Sequence, residues 1–348
     1  MIEKYLNDLE NRIDSEVEDN LFKQWKDFIY DKNKESIFIP KRHRKIQSIL
    51  LWPEISINHA IDDYEIMAFH QFGLCSEELA KASGKLLAVR CNYGTSIMPT
   101  IFGAELFIMD ENFNTLPTSK PLTGGINAVK ALLDNGIPNL HTGLGSKVLE
   151  MGNRFVEMIQ SYPKLSQYVT IYHPDLQGPM DICEILWGSS MFVHFYDSPD
   201  LMKDFLNLIT ETYAAFMREW KKIVPFSDGY AIHWSMLHQG QIMLRDDSAM
   251  NLSPEMFEEF IKPYDQRLLD EFGGGAIHFC GKGDHFIPRV SEINGLYAIA
   301  MSQPELNDME IIFSHTIDKN IKLLGLKRPA AEEALKRGRN LHGNIHCW

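Results

Sequence analysis

The sequence predicts an α/β protein, a (β/α)8 TIM barrel preceded by an N-terminal helical extension, on three observations. From about residue 85 onward, β-branched and aromatic runs alternate with helical stretches about eight times in roughly 260 residues, which suits a barrel better than an open sheet. Several of those runs end in polar residues and a glycine, as parallel strands do when they deliver side chains to a site at their C-terminal ends. The first ~75 residues lack that alternation and follow a helical period. The domain reading is therefore a helical cap over 1–80 and a barrel over 81–348.

In the cap, Tyr5, Leu6, Leu9, Ile13 and Val17 recur at helical spacing, and Leu21, Phe22, Trp25, Phe28 and Ile29 continue it. Ile37-Phe38-Ile39-Pro40 reads as an extended break and 62–74 as a further helix, with His59 and His70 as structural histidines. The first barrel strand is expected at 86–94, ending Arg90-Cys91-Asn92-Tyr93-Gly94. Phe107-Ile108-Met109 with Leu116-Pro117-Thr118 suits a hairpin insertion, and a helix is expected over 147–161. The stretch 168–179 repeats the strand pattern and ends Pro174-Asp175-Leu176-Gln177-Gly178-Pro179. Helices follow at about 180–195 and 199–222, the second with Pro199 at its first position.

Further on, 229–234 and 241–247 read as strands. Ser253 caps a helix that opens with Pro254 and Glu255 and runs to about Phe272. A strand through His278, a helix near 284–293, the strand 296–301, a helix near 308–319, the strand 321–326, a helix at 329–338 and a terminal strand complete the chain.

Composition narrows the function. Among 348 residues, no apolar run is long enough for a membrane span, and Met1-Ile2-Glu3-Lys4-Tyr5-Leu6 has no apolar signal region, so a cytoplasmic location is expected. The net charge of −13 disfavours nucleic acid or an acidic membrane as partner, and the basic run Lys41 to Lys45 reads as solvated. Five scattered cysteines suit a reducing compartment, where thiolate ligands survive.

The chemistry is expected at Ala276-Ile277-His278-Phe279-Cys280-Gly281. Strand alternation puts His278 and Cys280 on one face, and Gly281 lets a ligand approach the backbone. A nitrogen and a sulfur donor together are half of a zinc site. Cys347 on the terminal strand is the candidate third ligand, which would leave a tetrahedral ion one open position, the mark of a catalytic metal. His285 and His346 are reserve ligands, and Asp284 is a candidate to orient a metal-bound histidine. Asp175, Arg90 and Asn92 are expected catalytic groups, and Gln177, Arg245 and Tyr93 expected substrate-binding ones, because each follows a strand. Cys91 and Cys183 read as packing residues.

From about residue 85 the chain resembles the uroporphyrinogen decarboxylase superfamily. The resemblance rests on Asp175-Leu176-Gln177-Gly178-Pro179-Met180-Asp181-Ile182, Leu186-Trp187-Gly188, Asp197-Ser198-Pro199-Asp200-Leu201, the segment from Leu252-Ser253-Pro254-Glu255 to Tyr264, and the His278-Phe279-Cys280-Gly281 strand. Within it, the chain is most similar to the zinc-dependent corrinoid:thiol methyltransferases of the coenzyme M type. That branch holds zinc with His-x-Cys and a later Cys, which maps onto His278, Cys280 and Cys347.

The resemblance implies transfer of a methyl group between a corrinoid, carried by a partner protein, and a small thiol activated as a zinc thiolate; a homodimer is a further expectation. The alternatives are a metal-free decarboxylase-like lyase acting on a tetrapyrrole or smaller acid, and a non-catalytic corrinoid-binding barrel. The arginine-rich loop with which the decarboxylase binds substrate carboxylates has no counterpart here.

Overall fold

The computed structural model describes residues 2–33 and 35–348. Its strands, in chain order, are β1 (Ile37–Phe38), β2 (Ala88–Val89), β3 (Leu106–Phe107), β4 (Thr118–Ser119), β5 (Thr170–Ile171), β6 (Tyr230–His233), β7 (Met236–Gln239), β8 (Ile242–Arg245), β9 (Gly275–Phe279), β10 (Leu296–Met301), β11 (Lys322–Leu324) and β12 (Ile345–His346). Six of them form a parallel sheet in the order β1-β12-β11-β10-β9-β8, and β2 and β5 form a separate parallel pair. Among the described residues no continuous backbone ladder closes these two sheets into one. Hydrogen bonds nevertheless cross from the β5 segment to β8: Gly178 N donates to the Arg245 carbonyl at 2.9 Å, and Met243 N donates to His173 Nε2 at 3.0 Å.

Alternation along the strands sorts residues into two apolar faces. On β9, Ile277 and Phe279 join the large core under the helices Pro254–Phe260, Lys262–Phe272 and Pro199–Ile223, while Ala276 faces a second cluster with Ala298, Ala300, Met243 and Leu324. The alanines leave space there. Ile232, Met236 and Leu237 of the antiparallel β6–β7 hairpin fill it, with Trp25 and Phe28 of the helix Ser15–Ile29. Trp25 is anchored through Nε1 to the Gly84 carbonyl at 2.9 Å.

Four expectations need correction. The 229–234 run is not a strand of a parallel sheet; it is the first arm of the β6–β7 hairpin, joined by the two-residue loop Trp234-Ser235. Ile37–Phe38 is more than a break, since it adds to the main sheet beside β12. The expected helix near 284–293 contracts to Ile287–Val290, and the one from Pro254 is interrupted at Ile261, where Pro263 cannot donate to the preceding turn. The helix Ile126–Asn135 went unread. No described helix is long and apolar enough to cross a membrane.

Candidate metal centre

β8 and β9 run side by side in parallel, with Arg245 in register with His278. Beyond that register the chain continues from β8 to Asp247 and from β9 to Cys280, so three donors converge at the same sheet end. Asp247, His278 and Cys280 each offer a ligand atom, all within 4.8 Å of one another. His278 Nε2 lies 3.3 Å from Cys280 Sγ and 3.7 Å from Asp247 Oδ1. Bonds of roughly 2.0–2.3 Å to a tetrahedral ion imply ligand separations of about 3.3–3.8 Å, so this donor set fits a divalent cation.

Local backbone bonds hold the arrangement. The Cys280 N–H donates to Asp247 Oδ1 at 2.7 Å, Gly281 N donates to Gln303 Oε1 at 2.6 Å, and Cys280 Sγ lies 3.4 Å from Ser302 Oγ. Burial pulls the His278 imidazole down to about 4, with Asp247 opposing the shift, so the ring is neutral at pH 7 and free to offer a lone pair. Burial also raises the Cys280 thiol, and Asp247 adds to that, so without a cation the sulfur keeps its proton.

Beside this triad stands a charged wall centred on Asp175. Its carboxylate pairs with Arg90 and Arg245, accepts from Trp234 Nε1 at 3.2 Å and faces His233 Nε2 at 3.0 Å. Desolvation, then repulsion by Arg90, lowers the Arg245 guanidinium to about 9, and the same two causes pull His233 down to about 3. Two guanidiniums against one carboxylate leave the wall positive. Trp234 joins wall to triad: Arg245 lies 4.6 Å from its ring centre and the His278 ring meets it edge-on at 4.8 Å. Both residues of this hairpin loop have positive φ, Trp234 at 47° and Ser235 at 63°, a conformation disfavoured for side chains with a Cβ.

Gln177 bridges the layers. With its amide turned to satisfy both neighbours, its nitrogen donates to Asp181 Oδ2 at 2.9 Å and its oxygen accepts from Arg245 Nη1 at 3.0 Å. Gly178 must be a glycine here, because a Cβ would stand 2.2 Å from the Arg245 carbonyl.

Of the residues singled out in the sequence, His278 and Cys280 lie together, and Arg90, Asp175, Gln177 and Arg245 form the adjoining wall. Asn92 is buried with its Oδ1 unpartnered, and Tyr93 packs in the core beneath the helices. Cys347 lies outside the triad, buried in that same core; burial pushes its thiol up to about 12. Just past the short β12, it faces opposite to His346, whose ring packs 4.6 Å from Trp25 and 4.3 Å from Trp348. His285 is held by the Leu252 carbonyl at 3.0 Å, and Asp284 Oδ2 accepts from Asp308 N at 2.9 Å. Cys91 and Cys183 are fully buried. Asp247 was missed: in Arg245-Asp246-Asp247 it carries no spacing that marks a ligand, and only the β8–β9 pairing brings it to His278.

No protein-family model matches the chain, and no curated protein does. Among solved structures, it is similar to a methyltransferase from Methanosarcina mazei, at 16% identity over 94% of this chain and 92% of that one, with a TM-score of 0.62. At that identity the likeness is one of fold.

Proposed function

We propose that this chain is a metal-dependent methyltransferase acting on a small thiol, built on a (β/α)8-type barrel. The observation that carries the reading is the convergence of Asp247, His278 and Cys280 within 4.8 Å at the end of β8 and β9. The extent of the structural likeness and the name of the neighbour support it. The barrel reading is supported by the hydrogen bonds from the β5 segment to β8, which link the two parallel sheets at their edges.

Zinc is the proposed ion, since mixed imidazole, thiolate and carboxylate donors suit it; when bound, it supplies the Lewis acidity that keeps a substrate thiol ionised at neutral pH. The chain's own residues do the rest. Neutral His278 gives a lone pair without a proton to lose and Asp247 offers a carboxylate oxygen, whereas Cys280 must release a proton, so loading weakens as pH falls. Trp234 covers one edge of His278 and restricts water. Arg90 and Arg245, fixed by Asp175, present positive charge beside the substrate position. A methylated corrinoid, supplied by a partner protein, is the proposed donor class.

The experiment is thiol methylation from methylcobalamin by the metal-loaded protein and its Cys280→Ser variant. Turnover that disappears in the variant supports the proposal. A second reading, a metal-free lyase acting on an acid, draws on the Asp175–Arg90–Arg245 cluster; decarboxylation of an acid substrate undiminished in Cys280→Ser would favour it.

A further inference from the structure

We infer that Asp181 is a positioning residue for the metal centre: its carboxylate clamps the backbone that presents Asp247 as a ligand. This rests on reading Asp247, His278 and Cys280 as a metal site, and extends it to a residue that touches neither metal nor substrate.

Asp181 sits in the first turn of the helix Pro179–Trp187 and is 3% exposed. Its two oxygens are divided between successive peptide groups of the loop after β8: Oδ2 accepts from Asp247 N at 3.1 Å and Oδ1 from Ser248 N at 2.7 Å. The Gln177 amide nitrogen adds a third donor, 2.9 Å from Oδ2. A carboxylate holding two adjacent N–H groups fixes the orientation of that peptide pair, and so the direction in which the Asp247 side chain leaves the backbone. From the other side, the Cys280 N–H fixes the Asp247 carboxylate at 2.7 Å. Asp247 is thus held twice, and Asp181 supplies the hold that comes from outside the β8–β9 pair. Asp247 needs it most, because its side chain is 39% exposed whereas that of His278 is 10% exposed. A half-exposed carboxylate on a loop has rotamer freedom to lose before it can serve as a ligand.

Asparagine at 181 keeps the size and one acceptor but turns an amide nitrogen toward one of the two N–H groups, so one arm of the clamp fails. The test is titration of the metal-free protein with Co2+, following thiolate-to-cobalt absorption and the visible bands that report coordination geometry. Asp181→Asn should bind Co2+ about 10–100-fold more weakly, the range for losing a partner that orients a ligand. The thiolate band should persist, because Cys280 is untouched, and the visible bands should shift as Asp247 is lost. Val290→Ala, a core truncation in another helix, should lower stability without moving the cobalt affinity. If Asp181→Asn does not fold, Gln177→Met, which removes the third donor to Asp181 together with the acceptor facing Arg245, should still weaken binding measurably. Unchanged affinity and spectrum in the folded variants would overturn the inference while leaving the metal site standing. A wild-type protein with no thiolate-to-cobalt band would overturn both.

Discussion

Asp175→Asn tests the charged wall. The substitution keeps the shape and an acceptor for Trp234 or His233, but removes the negative charge that Arg90 and Arg245 share. Their side chains differ in exposure: 21% for Arg90 and 7% for Arg245. Arg90 can recover hydration, so the loss is dominated by Arg245. Leaving one buried charge without its partner costs about 3–5 kcal/mol, and the Gln177 oxygen that remains on Arg245 puts the expectation near the lower end, about 3 kcal/mol. With a urea dependence of roughly 3 kcal/mol per molar for a chain of this size, the unfolding midpoint should fall by about 1 M. Asp175→Asn combined with Arg245→Met should recover at least half of that loss, because the stranded charge is then gone. A midpoint shift under about 0.3 M, or a double variant in which the two losses add, would refute the reasoning.

Three further outcomes follow from particular residues. Ser235→Gly should raise stability by about 1 kcal/mol, because glycine removes the penalty of a left-handed residue while the Ser235 carbonyl still accepts from Leu86 N; unchanged or lower stability in urea would contradict this. Cys347→Ala should retain the metal content of the wild type while losing some packing energy; loss of metal would restore Cys347 as a ligand. Burial pulls His346 from an ordinary 6.5 down to about 3, so between those values the unfolded chain binds a proton that the folded one refuses. The stability it contributes is therefore full above about pH 6.5 and declines as pH falls toward 3. His346→Gln should make the acid limb shallower by about 1.4 kcal/mol per pH unit between roughly pH 6 and 4, and parallel limbs would contradict the assignment.

Much of this architecture is legible in the chain because the strands carry their polar residues at one end. Arg90, Asp175 and Gln177 follow β2 and β5, Arg245 ends β8, and period-two alternation places His278 and Cys280 on one face. The same alternation explains why Cys347 and His278 do not meet, but sequence alone does not reveal which face of β12 is which. The hairpin escaped notice because Trp234-Ser235 has none of the asparagine or glycine that marks a tight loop, the Trp234 side chain being held instead by Asp175, Arg245 and His278. Asp247 and Asp181 were illegible for a related reason: each acts through an element distant in sequence, and an acidic residue beside a strand or in a first helical turn has an ordinary local explanation.

The most direct test of the account is the metal content of the purified protein by elemental analysis, beside that of Cys280→Ser and Asp247→Ala. About one divalent ion per wild-type chain is expected, zinc in the first instance, with a clear loss in both variants. A wild-type protein that carries no metal and takes none up when offered zinc or cobalt would contradict it.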